Sequence, residues 1–310
     1  MVDYKEAGVD IEAEDVAIKG ILNTFKSSNQ FAGVVPFGDY YLCMCTDGVG
    51  SKIIVAEHMK KYDTVGIDMV AMNSNDCITI GAKPIALVDY LAIEKVDPKK
   101  IEEIMKGVAE GARQSDCPVI SGETATLPEV INDFDLAGTA LGVVKKDEMI
   151  TGEKIEEGDI IIGLESSGIH SNGLTLARKV LDLDAWGQDL LTPTRIYVKD
   201  ILSVLSSEIH GLSHITGGGL RKLKRILPEG LGAEIIDPIE PQAIFAEIQE
   251  KGEVSDQEMY KTFNMGMGFA IICPEEDAEE IMSKLETPSK IVGKIVKGEG
   301  VKHVPLGLEY

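Results

Sequence analysis

Asp47 is followed by Gly48, Val49, Gly50, Ser51 and Lys52, behind Tyr40-Tyr41-Leu42-Cys43-Met44-Cys45, a run of strand formers. An acid at a strand end, then glycines and a lysine, suits an anionic ligand held through a cation. Glycine lets backbone N–H groups come close to an anion, and a lysine adds a point charge. A carboxylate repels phosphate directly but can share Mg2+ with it, because that ion takes carboxylate oxygens and keeps phosphate oxygens as further ligands. Asp68, Met72 and Asp76 fall on one helix face at a spacing of four, and Asp76 sits beside Asn75 just ahead of the Gly81-Ala82-Lys83-Pro84 reversal. Glu123, in Ser121-Gly122-Glu123-Thr124, is expected where another strand ends. Acids at two strand ends and on a neighbouring helix are placed to converge on one cation. Asp47, Asp76 and Glu123 are therefore the candidate metal ligands, with Gly48, Gly50 and Lys52 as phosphate contacts.

The elements that must carry these residues follow from periodicity and stop signals. Ile18, Ile21, Leu22 and Phe25 share a face of a helix expected over 12–27. A strand is expected over 40–46, a helix over 64–80 and a strand over 85–93. Asp97-Pro98 caps a helix to about 115, because proline is favoured at the first helical position. Strands are expected over 118–121 and 135–144. A charged, glycine-bearing stretch over 145–158 places a domain boundary near 150, giving domains of 1–150 and 151–310. In the second half, strands are expected over 159–164 and 269–273 and a helix over 275–285. Residues 166–173 read as a polar loop before a helix, Thr192-Pro193 as the cap of a helix containing Arg195, and 214–219 as a link from strand to helix. Strands alternate with helices in both halves, so the fold class is α/β (α+β) with two domains.

The 310 residues carry a net charge of −22 and 44% hydrophobic content, enough for two cores. Such a field repels nucleic acid and anionic lipid, so neither is expected as a partner, and a phosphorylated ligand needs a metal or a cluster of N–H donors. No apolar run is long enough to span a membrane. The N-terminus does not read as a signal peptide, and the five scattered cysteines read as reduced structural thiols, so a cytoplasmic location is expected.

The motifs together resemble the phosphoribosylformylglycinamidine cyclo-ligase (aminoimidazole ribonucleotide synthetase) family. The resemblance rests on Asp47-Gly48-Val49-Gly50-Ser51-Lys52, Gly66-Ile67-Asp68-Met69-Val70-Ala71-Met72, Asn75-Asp76, Gly81-Ala82-Lys83-Pro84 and Gly122-Glu123-Thr124. It continues through Ser166-Ser167-Gly168-Ile169-His170-Ser171-Asn172-Gly173, Pro193-Thr194-Arg195-Ile196-Tyr197-Val198, His214-Ile215-Thr216-Gly217-Gly218-Gly219 and Asn264-Met265-Gly266-Met267-Gly268. Ser51 stands where the family usually has threonine and Ser121 where it usually has glycine, both small replacements. The resemblance implies ATP-dependent ring closure of formylglycinamidine ribonucleotide in purine synthesis, with Mg2+ on ATP. It also implies a homodimer whose N-terminal sheets pair into a barrel. Lys52, His170 and His214 are the candidate catalytic residues, the histidines because polar glycine loops suit phosphate or proton handling. Asn75, Asn264, Gly266 and Gly268 join Gly48, Gly50 and Lys52 as candidate ATP or phosphate contacts. Related ATP-using enzymes, among them thiamine-monophosphate kinase and selenophosphate synthetase, and a non-catalytic nucleotide-binding homologue are the alternatives.

Overall fold

The computed structural model describes residues 32–310 together with Val16, Ala17, Gly20, Ile21 and Thr24. The helix expected over 12–27 falls almost wholly outside the described residues; the five described positions are helical. The first sheet has the order β1-β2-β5-β3-β4. Its strands are β1 (Gly33–Phe37), β2 (Tyr40–Gly48), β3 (Lys83–Ile93), β4 (Val119–Thr126) and β5 (Phe134–Lys145). β1, β2, β5 and β3 run antiparallel to their neighbours, and β4 lies parallel to β3. That parallel step needs a crossover, which α3 (Pro98–Ser115) supplies. Asp97 caps α3 as its sequence predicts, accepting from the N–H groups of Lys99 at 3.0 Å and Lys100 at 3.3 Å.

α1 (Lys52–Met59) and α2 (Asp63–Ile78) complete this half. α2 lies between the sheet and α3, so it is buried on most sides, from Thr64 to Ile78. Two glycines set its approach to α3. A Cβ on Gly107 would land on the Asp63 carbonyl oxygen, and one on Gly66 on the Val108 amide. α2 brings Asp68, Asn73, Asn75 and Asp76 against the neighbouring elements, which is how a buried helix carries so many polar groups.

The second sheet has the order β12-β11-β8-β10-β6-β9-β7. Its strands are β6 (Ile160–Glu165), β7 (Gly211–His214), β8 (Leu231–Ile235), β9 (Met267–Cys273), β10 (Ser289–Lys297), β11 (Val301–His303) and β12 (Leu308–Glu309). Its helices are α4 (Leu174–Val180), α5 (Leu183–Leu190), α6 (Val198–Val204), α7 (Ala243–Gly252), α8 (Asp256–Thr262) and α9 (Ala278–Lys284), with a 3-10 turn at Gly219–Arg225. β9 is buried along its whole length, since strands flank it on both sides and apolar side chains cover both faces.

Several boundaries differ from the sequence reading, each for a tertiary reason. β2 runs on through Gly48, because Asp47 and Gly48 still pair with Gly138 and Ala137 of β5. β4 extends to Thr126, since β3 offers partners to Glu123 and Thr124. Glu123 therefore lies inside a strand, not at its end. Thr192-Pro193 caps no helix: residues 192–197 form no regular element and α6 starts only at Val198. Arg195 is thus outside a helix. β1 and α1 were not expected; β1 exists because Val34, Val35 and Pro36 pair with β2.

Candidate active site

Asp47 and Asp76 meet where the first sheet faces the second. Asp47 is the last residue but one of β2, and Asn73 of α2 fixes it there: the Asp47 N–H donates to Asn73 Oδ1 at 3.0 Å, and Asn73 Nδ2 donates to the Asp47 carbonyl at 3.1 Å. Asp76 lies in the last turn of the same helix. Burial, and then the charge of Asp76, push the Asp47 carboxyl up to about 6. Two like charges forced together in a partly dry site form a place for a cation.

His214, at the end of β7, closes the site from the second sheet. Its Nδ1 lies 2.9 Å from Asp76 Oδ1, and its Nε2 lies 3.4 Å from Asn75 Nδ2. The Asn75 amide nitrogen can only donate, which leaves Nδ1 to carry the proton toward Asp76. Asn75 also donates to the Arg195 carbonyl at 2.8 Å, while its Oδ1 accepts the Tyr197 N–H at 2.9 Å. These bonds fix the irregular segment 195–197 against α2. They also occupy Asn75, expected to contact phosphate, in joining the two halves of the chain.

Lys52 is placed differently from the sequence reading. It is fully buried at the start of α1. Its Nζ donates to Asp68 Oδ1 at 2.9 Å, the Thr192 carbonyl at 2.6 Å and the His170 carbonyl at 3.3 Å. An ammonium has three N–H bonds, and all three are spent. Asp68 Oδ1 also accepts from Ser171 Oγ at 3.0 Å, Thr194 N at 2.8 Å and Thr194 Oγ at 2.6 Å. The pair pins the loops over 166–173 and 192–196 onto the first half. Burial lowers the Lys52 pKa, and Asp68 opposes that shift.

His170 is buried on the loop before α4. Its Nε2 accepts from Ser167 N at 3.2 Å and Arg195 N at 3.5 Å. Burial first, then the positive charge of neighbouring groups, holds its pKa well below the usual histidine value, so the ring is neutral. Asn264 donates to the Gly168 carbonyl at 2.9 Å and accepts from Gly266 N at 2.9 Å. Gly268 is a packing glycine: a Cβ there would strike the Tyr197 hydroxyl and lie 2.6 Å from His170 Cε1. Gly48 gives its N–H to its neighbour's Asp47 Oδ1 at 2.7 Å. Gly50 remains open, exposed at φ +69° with room beside it, just ahead of α1.

Glu123 does not join Asp47 and Asp76 within one protomer. Asp47 pairs with Gly138, Gly138 with Asp89, and Asp89 with Gly122. Three strand spacings of about 4.8 Å each separate the two positions. The expectation of convergence fails because β4 is the far edge strand of the sheet. Among the described residues no group of three or more His, Cys, Asp or Glu side chains could hold a metal ion. The sequence reading also missed Lys222, on the 3-10 turn after the glycine run, whose charge reaches both Asp47 and Asp76.

The architecture is a two-domain mixed α/β fold found in several solved proteins. A HypE–HypF complex structure superposes with a TM-score of 0.71 at 17% identity, covering 95% of this chain and 98% of that one. Thiamine monophosphate kinase from Aquifex aeolicus gives 0.70 at 16% identity, covering 95% and 97%. Residues 29–144 match the family model for the AIR synthase related protein N-terminal domain, and 156–304 match the model for its C-terminal domain. The chain is 52% identical over 325 aligned residues to phosphoribosylformylglycinamidine cyclo-ligase of Methanocaldococcus jannaschii, covering 96% of this chain and 93% of that protein. It is 49% identical to the Methanococcoides burtonii enzyme of the same name, with 95% of each covered. This chain belongs to the phosphoribosylformylglycinamidine cyclo-ligase family, ligases of purine biosynthesis.

Proposed function

We propose that this protein closes formylglycinamidine ribonucleotide to aminoimidazole ribonucleotide at the expense of ATP, releasing ADP and phosphate. The observation that carries the reading is the Asp47–Asp76 pair, ordered by Asn73 and His214 beside the open Gly50 turn, in a chain about half identical to named cyclo-ligases over nearly its whole length. The two carboxylates fit Mg2+, which binds through one or two carboxylates together with substrate phosphates. When bound there, the ion supplies charge neutralisation to the triphosphate. A solved protein of the same fold, AaThiL, is complexed with AMPPCP and TMP, which supports nucleotide binding on this fold.

In the chemistry proposed, the amide oxygen takes the γ-phosphoryl group and ADP leaves. The amidine nitrogen then attacks the same carbon, forms the ring C–N bond, loses a proton and expels phosphate. The open Gly50 turn at the N-terminus of α1 approaches the phosphates. Asp47 and Asp76 fix the cation, and His214 fixes Asp76. The Lys52–Asp68 pin holds the loops of the second domain at the site, giving the folded substrate a near-attack geometry. Neutral His170 acts by positioning residues 167 and 195.

A homodimer completes this reading. β1, β2 and β3 present Val35, Phe37, Tyr40, Met44 and Tyr90 exposed on the sheet face away from α2 and α3. An apolar patch on continuous strands suits a second copy of the same sheet, closing a barrel. No helix among the described residues is long and apolar enough to cross a membrane. The test is an assay with purified substrate and Mg-ATP, reading phosphate and the aromatic amine. Both should form together; ATP turnover on thiamine monophosphate with no amine from formylglycinamidine ribonucleotide would favour the kinase reading.

A further inference from the structure

The two elements that carry the acids also touch through sulfur. Cys45 lies on β2 two residues before Asp47, and Cys77 follows Asp76 directly on α2. Their sulfurs are 3.5 Å apart. Cys45 Sγ also donates to the Asn73 carbonyl at 3.0 Å. Cys43, on the same face of β2, bonds Cys77 as well. All of these thiols are free. Cys45 is 9% exposed and Cys77 is fully buried, so a small oxidant meets Cys45 first.

Two reacting atoms held about 3–3.5 Å apart are already in near-attack range. Hydrogen peroxide is close to water in size. Its transfer of one oxygen to Cys45 gives a sulfenic acid and one water. The Cys77 sulfur then attacks the Cys45 sulfur, its proton leaves with the hydroxyl as a second water, and the S–S bond forms. Two thiols thus lose two electrons and two protons to one peroxide. A disulfide is about 2.05 Å long, so the sulfurs must close by about 1.5 Å. That draws β2 toward α2 and takes Cys45 off the Asn73 carbonyl. Asn73 is the residue that fixes Asp47, and both acids ride on these same elements. We propose that Cys45 and Cys77 form a site of oxidative modification, where a disulfide made by a peroxide displaces Asp47 relative to Asp76 and slows the enzyme. The effect on turnover rests on the Asp47–Asp76 reading above; the bond itself does not.

The test treats the reduced protein with hydrogen peroxide and removes the excess with catalase. Remaining thiols are capped with N-ethylmaleimide in denaturant, and the peptides are mapped by mass spectrometry. One peptide pair should be joined through Cys45 and Cys77, two hydrogens lighter than its separate members. Turnover should fall about 100-fold, the scale of a misplacement of about 1 Å near the chemistry. Dithiothreitol should restore both the masses and the turnover. Cys77→Ala, or Cys77→Ser if the first variant fails to fold, should keep basal turnover and lose its sensitivity to peroxide. Absence of the joined pair, or Cys77 joined to Cys43 instead, overturns the proposal. So does a joined pair with turnover unchanged, or an equal loss of turnover to peroxide in Cys77→Ala. Reduced protein that forms no aminoimidazole product would instead overturn the cyclo-ligase reading, and the mass spectrum would still decide the disulfide.

Discussion

His214 Nδ1 stands 2.9 Å from Asp76 Oδ1, joining β7 of the second sheet to the last turn of α2 on the first. The bond holds a carboxylate in place that Asp47 would otherwise repel. Asp76→Asn keeps the shape and removes the charge, and turnover should fall by about 100-fold or more, as when one preorganised electrostatic contact is lost. Steady-state kinetics across Mg2+ concentration measures this; near-normal turnover with unchanged Mg2+ dependence would refute the ligand role.

Asp47 predicts a pH dependence. Its carboxyl is raised to about 6 in the folded protein, against an unfolded value near 3.8. The folded state thus binds a proton that the unfolded chain releases. The stability this gives is fully present below about pH 4 and is lost as pH rises through about 6. Asp47→Asn should raise the thermal midpoint at pH 8, by at most about 3 kcal/mol of stability, and the gain should vanish below about pH 4. Metal-dependent nucleotide binding should run the other way, strengthening as pH rises through about 6. Thermal scans and titrations at several pH values check both signs.

Lys52→Met should act on folding. It leaves Asp68 buried without its counter-charge, and breaking a buried pair in this way costs about 3–5 kcal/mol. The thermal midpoint should fall sharply, and adding Asp68→Leu should recover part of the loss. AMPPCP affinity, measured where the variant is still folded, should change little. A stable variant with weak nucleotide binding would make Lys52 a phosphate contact after all.

Gly268→Ala tests the packing beneath the site. The added methyl group has no room between the Tyr197 hydroxyl and the His170 ring. Overpacking of this kind costs about 1–3 kcal/mol. Turnover should fall with stability, because His170 anchors the Ser167 and Arg195 backbone. A thermal midpoint equal to wild type would show that the loop yields freely.

Met44→Glu tests the dimer. One charge at the centre of the exposed sheet face should shift the protein to monomer in sedimentation velocity. A wild-type protein that is already monomeric at micromolar concentration would refute the barrel.

Local signals in the chain were enough for α3, because Asp97, Pro98 and its apolar spacing all act within the helix. They also marked Asp47 and Asp76, whose neighbours are small or amide residues. Glu123 was misplaced because the length of β4 is decided by β3, a partner distant in sequence. Lys52 was misjudged because its true partner, Asp68, lies sixteen residues on and meets it only through the packing of α1 and α2. Lys222 was missed because nothing local in Arg221-Lys222-Leu223-Lys224-Arg225 marks a lysine whose charge reaches Asp47 and Asp76.

The most direct test of the central claim follows one atom. Formylglycinamidine ribonucleotide labelled with oxygen-18 at the formyl amide is mixed with enzyme and Mg-ATP, and the inorganic phosphate is analysed by mass spectrometry. Phosphorylation of that oxygen followed by ring closure predicts one labelled oxygen in each phosphate released, with ADP and aminoimidazole ribonucleotide in equal amounts. Unlabelled phosphate, or a phosphorylated product that accumulates without ring closure, would contradict it.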